Sequence, residues 1–287
     1  MTLLDAPRVG SAPDANVRPA RSDAPAGVRL GRVSGLGLGT AVLWLSLLVL
    51  IPLAAVVAKG LGGGWSAFWA DITTPQAAAA LRLTVLSSLF VAAINAVMGT
   101  LLAWVLVRDS FPGRRLVELV IDIPFALPTI VAGLVLLSVY GSDSPVGINL
   151  LGTQRAVVFA LLFVTLPFVV RSVQPVLIAL DTEAEQAAAC LGAGPRTIFR
   201  RIVLPLLLPA IASGAALAFA RAMGEYGSVL LISGGLDRTR VSSMYAFQLI
   251  QNYNYAGAAA TATVLLVVSL AVIVGLDVLQ RRVGRRG

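Results

Sequence analysis

TEAEQAAACLGAGPRTIFRRIVLP, residues 182–205, lies between two apolar stretches that are each long enough to cross a bilayer. Its first half is rich in alanine, a strong helix former with a small side chain. Thr182 and Glu185 have the spacing of a capping box, and Glu183 and Glu185 suit the positive end of a helix dipole. Gly192 suits the left-handed position that ends a helix, and Pro195 fits the first turn of a second one, which closes at Leu204–Pro205. Ile198, Phe199 and Ile202 form one stripe on that second helix, and Arg196 and Arg200 another. The segment therefore predicts a compact helical hairpin just outside the membrane, which a soluble partner can push.

Outward from the hairpin, the chain has 287 residues, 57% of them hydrophobic and 13% charged, with a mean hydropathy of +0.88. A soluble core of this size has no use for that much apolar surface, so the bilayer is the expected solvent. Roughly 20 helical residues cross a hydrocarbon slab about 30 Å thick. Six stretches meet that length: 37–58, 83–107, 117–140, 156–178, 206–233 and 257–279. The expected class is an all-α membrane protein with six transmembrane helices. Residues 1–35 carry four prolines among polar and small residues, and read as a disordered cytosolic tail. Residues 36–76 read as the first span and its outer loop, where Trp65 and Trp69 suit the headgroup level. Residues 77–280 form the core, and 281–287 a basic cytosolic tail. The segment 234–256 reads as partly helical and lying along the membrane surface.

The net charge of +8 is a matter of topology. With both termini inside, sixteen of the 22 basic residues fall on the cytosolic side. The outer side and its margins hold only Lys59, Arg82, Arg155, Arg221, Arg238 and Arg240, which is the positive-inside pattern. Nucleic acid is not an expected partner; membrane lipid is. The chain has no histidine and one cysteine, Cys190. That excludes a histidine-ligated metal, a histidine-based triad and an intrachain disulfide. Cys190, among alanines, reads as a small packing residue.

The hairpin leaves three readings open from its residues: a passive amphipathic loop, a DNA-binding helix-turn-helix, and a docking element for a separate polypeptide. Short tethers to the membrane on both sides hinder the second. The segment resembles the EAA loop of ABC importer permeases, with Ala187, Ala188, Gly192, Phe199, Ile202, Leu204 and Pro205 in the pattern. Gln186 stands where the family has glutamate, with Glu185 just before it. The resemblance implies that this hairpin docks into a cleft of an ATPase subunit and that the core has the type I importer permease fold. It sharpens over IDIPFALPTIVAGLVLL (121–137), FARAMGEYGSVLLISG (219–234) and NYNYAGAAATATVLL (252–266), which resemble the T-type subunits of sulfate/thiosulfate permeases. Sister W-type subunits lack the FALPT run seen at 125–129, and molybdate permeases, the alternative, are less similar in all three runs.

The resemblance implies a multi-pass protein of the bacterial inner membrane that forms half of a translocation pathway. It also implies a W-type permease partner, two copies of an ATPase subunit and an extracytoplasmic sulfate-binding protein. No catalytic residue and no cofactor are expected on this chain, since it has no GxxxxGK[ST] loop. ATP and Mg belong to the partner ATPase. An integral-membrane enzyme or a stand-alone channel is the remote alternative.

A doubly charged anion needs a polar route through the membrane. Pro128 interrupts the third span, and the Thr129 hydroxyl and the N–H groups of a restarted helix are candidate donors. Arg221 and Glu225 share a face of the fifth, beside Gly224, Tyr226 and Gly227. Either Arg221 attracts the anion and Glu225 moderates its grip, or the pair locks the fifth helix to a neighbour. Arg171 is expected to reach toward the cytosolic interface or to take a similar role, and Asp122 to find Arg114 or Arg115.

Overall fold

A computed structural model describes residues 32–284 of the chain, with side chains described for 36–278. Of the two expected tails, residues 1–31 and 285–287 lie outside those residues; 32–35, expected to be disordered, and 281–284, expected to be tail, are helical. The backbone divides into two units. The first, described from Arg32 to Leu50, is α1 (Arg32–Leu45) followed by one wide π turn, Ser46–Leu50. Leu36, Leu43 and Trp44 on α1 are exposed, as side chains facing hydrocarbon are.

The second unit begins with α2 (Ile51–Leu61), α3 (Gly64–Ile72), α4 (Pro75–Arg108), α5 (Arg114–Ala126) and α6 (Thr129–Tyr140). It continues with α7 (Gln154–Ala179), α8 (Glu183–Cys190), α9 (Pro195–Ile198) and α10 (Leu204–Met223), and ends with α11 (Gly227–Ile232), α12 (Ser242–Gln251) and α13 (Tyr255–Gly284). No strand occurs among the described residues, so the all-α expectation holds.

Two of the long helices start on threonine caps. Thr74 accepts from the Ala77 N–H at 3.2 Å ahead of a proline at the first turn of α4, and Thr153 accepts from the Ala156 N–H at 3.2 Å on α7. Helices α4, α7 and α10 form the centre of the bundle. Small residues bring them close: a Cβ on Gly99 of α4 or Gly214 of α10 would come within 2.8 Å of Val169 on α7. A buried hydrogen bond from Asn95 Nδ2 to Thr165 Oγ1, 2.8 Å, joins α4 to α7 at mid-depth. One apolar cluster, with Val91, Val157, Leu161 and Val229, lies on one side of that bond. A second, with Leu106, Val170, Val173, Val203 and Leu207, lies toward the Arg108 end of α4.

Among the described residues, five helices are long and apolar enough to cross a membrane: Leu36–Leu61, Pro75–Arg108, Gln154–Ala179, Pro195–Met223 and Tyr255–Val278. A sixth crossing exists only if α5 and α6 count as one, and they meet at 119°. The single third span expected over 117–140 is therefore broken. Pro128 holds Leu127 in an extended conformation (ψ 134°) and cannot continue the helix, so the chain turns there. The expected fifth span, 206–233, also differs. Its helix begins at Pro195, stops at Met223 and resumes as α11 after Gly224–Tyr226. The outer segment is partly helical, as expected, and α12 packs on the bundle: it buries Ser242, Met244 and Tyr245, and Ser242 bonds Thr84 of α4.

Candidate functional site

The hairpin is built from α8, a reversal at Leu191–Gly194, and α9. Gly192 has φ +83°, the left-handed conformation expected of it. The Ala193 N–H reaches Ala188 O at 3.0 Å and the Gly192 N–H reaches Ala189 O at 2.9 Å, the paired bonds of a Schellman ending. At the other end the capping-box expectation fails. Thr182 has helical dihedrals, so its hydroxyl is not turned back, and Asp181 Oδ1 accepts from the Glu183 N–H at 2.9 Å instead. The second arm is also longer than expected. It does not end at Leu204–Pro205: α9 passes through a wide turn, Phe199–Val203, directly into α10.

The exposed face of the hairpin carries Gln186, Ala187, Cys190 and Leu191, the last 90% exposed. Cys190 is thus a surface thiol and not the packing residue its neighbours suggest. Ala188, Ile202 and Leu204 are half-buried, and Pro205 is exposed. Ile198 and Phe199 pack beside Val203 on the second apolar cluster. Glu185 does not face outward: its Oε1 lies 2.5 Å from Arg108 Nη2 at the last turn of α4, with both side chains about one-fifth exposed. The Arg108 guanidinium also sits 5.4 Å over the Trp104 ring, and Trp104 meets Phe199 edge-to-face at 5.5 Å. Both arms of the hairpin are therefore strapped to α4.

A second constellation forms where the fifth span breaks. Arg221 Nη1 lies 2.5 Å from Glu225 Oε2, an ion-pair contact outside hydrogen-bond geometry, with the Glu225 side chain 1% exposed and Arg221 32%. Glu225 Oε1 accepts from the Ser228 N–H at 2.9 Å and so caps α11, while Ser243 on α12 donates to the Glu225 carbonyl at 2.5 Å. One residue thus joins α10, α11 and α12. Gly227 packs on Thr129: an added Cβ would come 2.3 Å from Thr129 Oγ1 and 2.8 Å from the Ile130 nitrogen. Gly133 meets the Ser228 backbone in the same way. The structure therefore brings Thr129 of α6 against Gly227 of α11, the residue just before the Ser228 that Glu225 caps. Thr129 is half-buried there, Pro128 and Gly224 are exposed, and the Tyr226 ring lies tilted against Phe247 at 5.3 Å. The Arg221–Glu225 ion pair itself lies within its own broken span, and the link to the neighbouring α12 is the Ser243 bond to the Glu225 carbonyl.

Arg171 is not free. It forms a two-pronged contact with Asp122 of α5 and donates to Gln174 Oε1 at 2.7 Å. Arg114 pairs with Glu118 at 3.2 Å, so neither arginine expected for Asp122 takes it. The contributions of Arg108, Trp104, Asp181 and Ser243 have no counterpart in the sequence reading. The local signal for Arg108 was a cation in a helix's last turn; its partner lies 77 positions away. Among the described residues no cluster of acidic, cysteine or histidine side chains could hold a metal.

Residues 95–286 match the model of the family described as binding-protein-dependent transport system inner membrane component. The chain is 41% identical over 259 residues to the sulfate transport system permease protein CysT of Salmonella typhimurium, covering 88% of this chain and 94% of that one. It is 41% identical over 253 residues to the protein of the same name in Synechocystis, covering 85% and 88%. Among solved structures, a bacterial alginate ABC transporter in complex with its periplasmic protein superposes with a TM-score of 0.73 at 17% identity, over 88% of this chain and 94% of that one. The inward-facing MetNI methionine ABC transporter superposes with a TM-score of 0.56 at 18% identity, over 74% and 99%. These likenesses establish the ABC importer permease fold.

Proposed function

The chain belongs to the family of binding-protein-dependent transport system inner membrane components, and we propose that within it this chain carries sulfate or thiosulfate inward as the T-type permease subunit. The observation that supports the substrate is the 41% identity to a sulfate permease over nearly the whole of both chains. The partners in this reading are a W-type permease, two copies of an ATPase that holds ATP and Mg, and an extracytoplasmic sulfate-binding protein. This chain is then a membrane subunit whose ATPase activity resides on a partner. Both termini and the 182–205 hairpin face the cytosol of a bacterial inner membrane.

In this mechanism the exposed face around Gln186, Ala187, Cys190 and Leu191 docks on the ATPase. Closure of the ATPase moves the hairpin, and two connections carry that movement into the bundle. One is covalent, from α9 through the wide turn into α10. The other is the Arg108–Glu185 pair with the Trp104–Phe199 contact, which carries it into α4. At the far end of α10 lies the Glu225 knot, where α6 and α11 touch through Thr129 and Gly227. A shift of α10 there changes how two interrupted helices meet. Interrupted helices at the midplane suit anion passage, because their N-terminal N–H groups need no side-chain charge to attract it. Arg221, one-third exposed, is the cation at hand for the anion, and Glu225 competes with that anion for it.

The reading is tested by labelled sulfate uptake into proteoliposomes holding this chain with its three partners. Uptake that requires ATP inside the liposomes and the binding protein on the opposite side is the expected outcome. Uphill uptake by this chain alone would overturn the subunit reading, and uptake of molybdate with none of sulfate would overturn the substrate.

A further inference from the structure

Three arginines on the second arm of the hairpin have no role in the coupling just described. Arg196, Arg200 and Arg201, with Thr197, line a cleft of 310 Å³. All four are exposed, and none of the three arginines has an acidic partner among the described residues. In a regular helix 196 and 200 share a face and 201 is turned away from it. Here the Leu204 N–H bonds to Phe199 O, five residues back, and the widened turn brings Arg201 to the same cleft. Ile198 and Phe199 occupy the other face and pack into the bundle, so the arginines point away from protein.

Depth selects the ligand. The apolar helix Pro195–Met223 has 29 residues. At 1.5 Å each that is roughly 44 Å, against a hydrocarbon slab of about 30 Å. The polar start of the helix is the surplus. Arg200 and Arg201 then lie within about 6 Å of Leu204 along the axis, and Arg196 within about 12 Å. A headgroup layer is roughly 5–7 Å deep on each side, and arginine stems are long enough to reach it. The planar guanidinium matches a phosphate with paired N–H donors, and the Thr197 hydroxyl adds another.

We propose that this cleft binds the phosphate of an anionic phospholipid headgroup and so anchors the second arm of the hairpin to its leaflet. That the leaflet is the cytosolic one rests on the orientation proposed above; the cleft and its ligand do not depend on the transported substrate. The test is native mass spectrometry of the complete importer in mild detergent, titrated with phosphatidylglycerol and, separately, with phosphatidylcholine of the same chains. Phosphatidylglycerol is expected to be retained over phosphatidylcholine. Each Arg→Gln change is expected to weaken retention about fivefold, and R196Q/R200Q/R201Q on the order of a hundredfold. Should the triple variant fail to assemble, Arg201→Gln alone carries the measurement, and R196K/R200K/R201K, which keeps the charge and loses the paired donors, is expected to fall between the parent and the triple glutamine variant. Equal retention of the two lipids, or unchanged retention in the triple variant, overturns the proposal. So does occupancy by inorganic phosphate that phosphatidylglycerol does not displace, which marks a soluble anion as the ligand. Loss of the ATPase from the triple variant with lipid retention intact also overturns it, and marks a protein-docking face. Sulfate uptake by the same preparation reports on the transport reading independently of these outcomes.

Discussion

Arg108 and Glu185 meet at 2.5 Å across 77 positions of sequence, and the contact makes the end of α4 and the first arm of the hairpin one electrostatic unit. Both side chains are four-fifths covered and the guanidinium also rests on Trp104, so the pair is held in geometry and only partly screened. Removing either partner should cost roughly 1–3 kcal/mol. Arg108→Glu and Glu185→Arg are each expected to reduce ATP-driven uptake several-fold while the chain still inserts. The double exchange should recover most of it. Uptake assays of all four chains form a cycle, and strictly additive losses would show that the pair transmits nothing.

Gly192 is left-handed at φ +83°, with open space around it. Gly192→Ala therefore meets no clash at its Cβ; its cost is backbone strain, about 1–2 kcal/mol, at the reversal itself. Membrane insertion should survive and co-purification of the ATPase should fall sharply. Normal recovery of the ATPase would show that the Schellman reversal is not what the partner reads.

Gly227 has no room for a methyl group, since a Cβ would overlap Thr129 Oγ1 and press on the Ile130 backbone. Gly227→Ala should lower stability by about 1–3 kcal/mol, read as a fall in Tm in detergent. Thr129→Ala added to it should restore only part, because the backbone nitrogen of Ile130 stays in the way. Full recovery would mean that the hydroxyl alone sets the approach of α6 and α11.

Arg221→Ala leaves a carboxylate that is 1% exposed without its cation, a loss of roughly 3–5 kcal/mol by analogy with broken buried pairs. The single variant is expected to assemble poorly. Arg221→Ala with Glu225→Gln removes both charges and keeps an acceptor for the Ser228 N–H, so assembly should return. If Arg221 serves the anion, sulfate uptake stays low in the assembled double variant; uptake near the parent level would make the pair purely structural.

Much of this was legible in the residues, for identifiable reasons. Apolar length reports spanning helices directly, and the ends of Leu36–Leu61, Gln154–Ala179 and Tyr255–Val278 fall within a few residues of the expected ones. Gly192 and the alanines before it specify their hairpin by local sterics, which need no tertiary context. Pro128 announced an interruption, but a proline fixes the break and not the 119° at which the chain leaves it, nor the close approach of α6 and α11 at Gly133 and Gly227. Thr182 and Asp181 are both competent caps, and the dihedrals of Thr182 decided between them. Arg171 with Asp122, and Arg108 with Glu185, are long-range pairings that no spacing rule contains. Gln186 and Glu185 show the same limit: only the fold reveals that the acid is turned inward and the amide outward.

The chain has one thiol, and the fold leaves it bare on the outward flank of the lever, beside Leu191. Nature has thus supplied a single attachment point for a maleimide dye or spin probe, with no cysteine-free background to engineer first. On the face proposed to dock, a label there would sense contact with an ATPase through the change in its own surroundings.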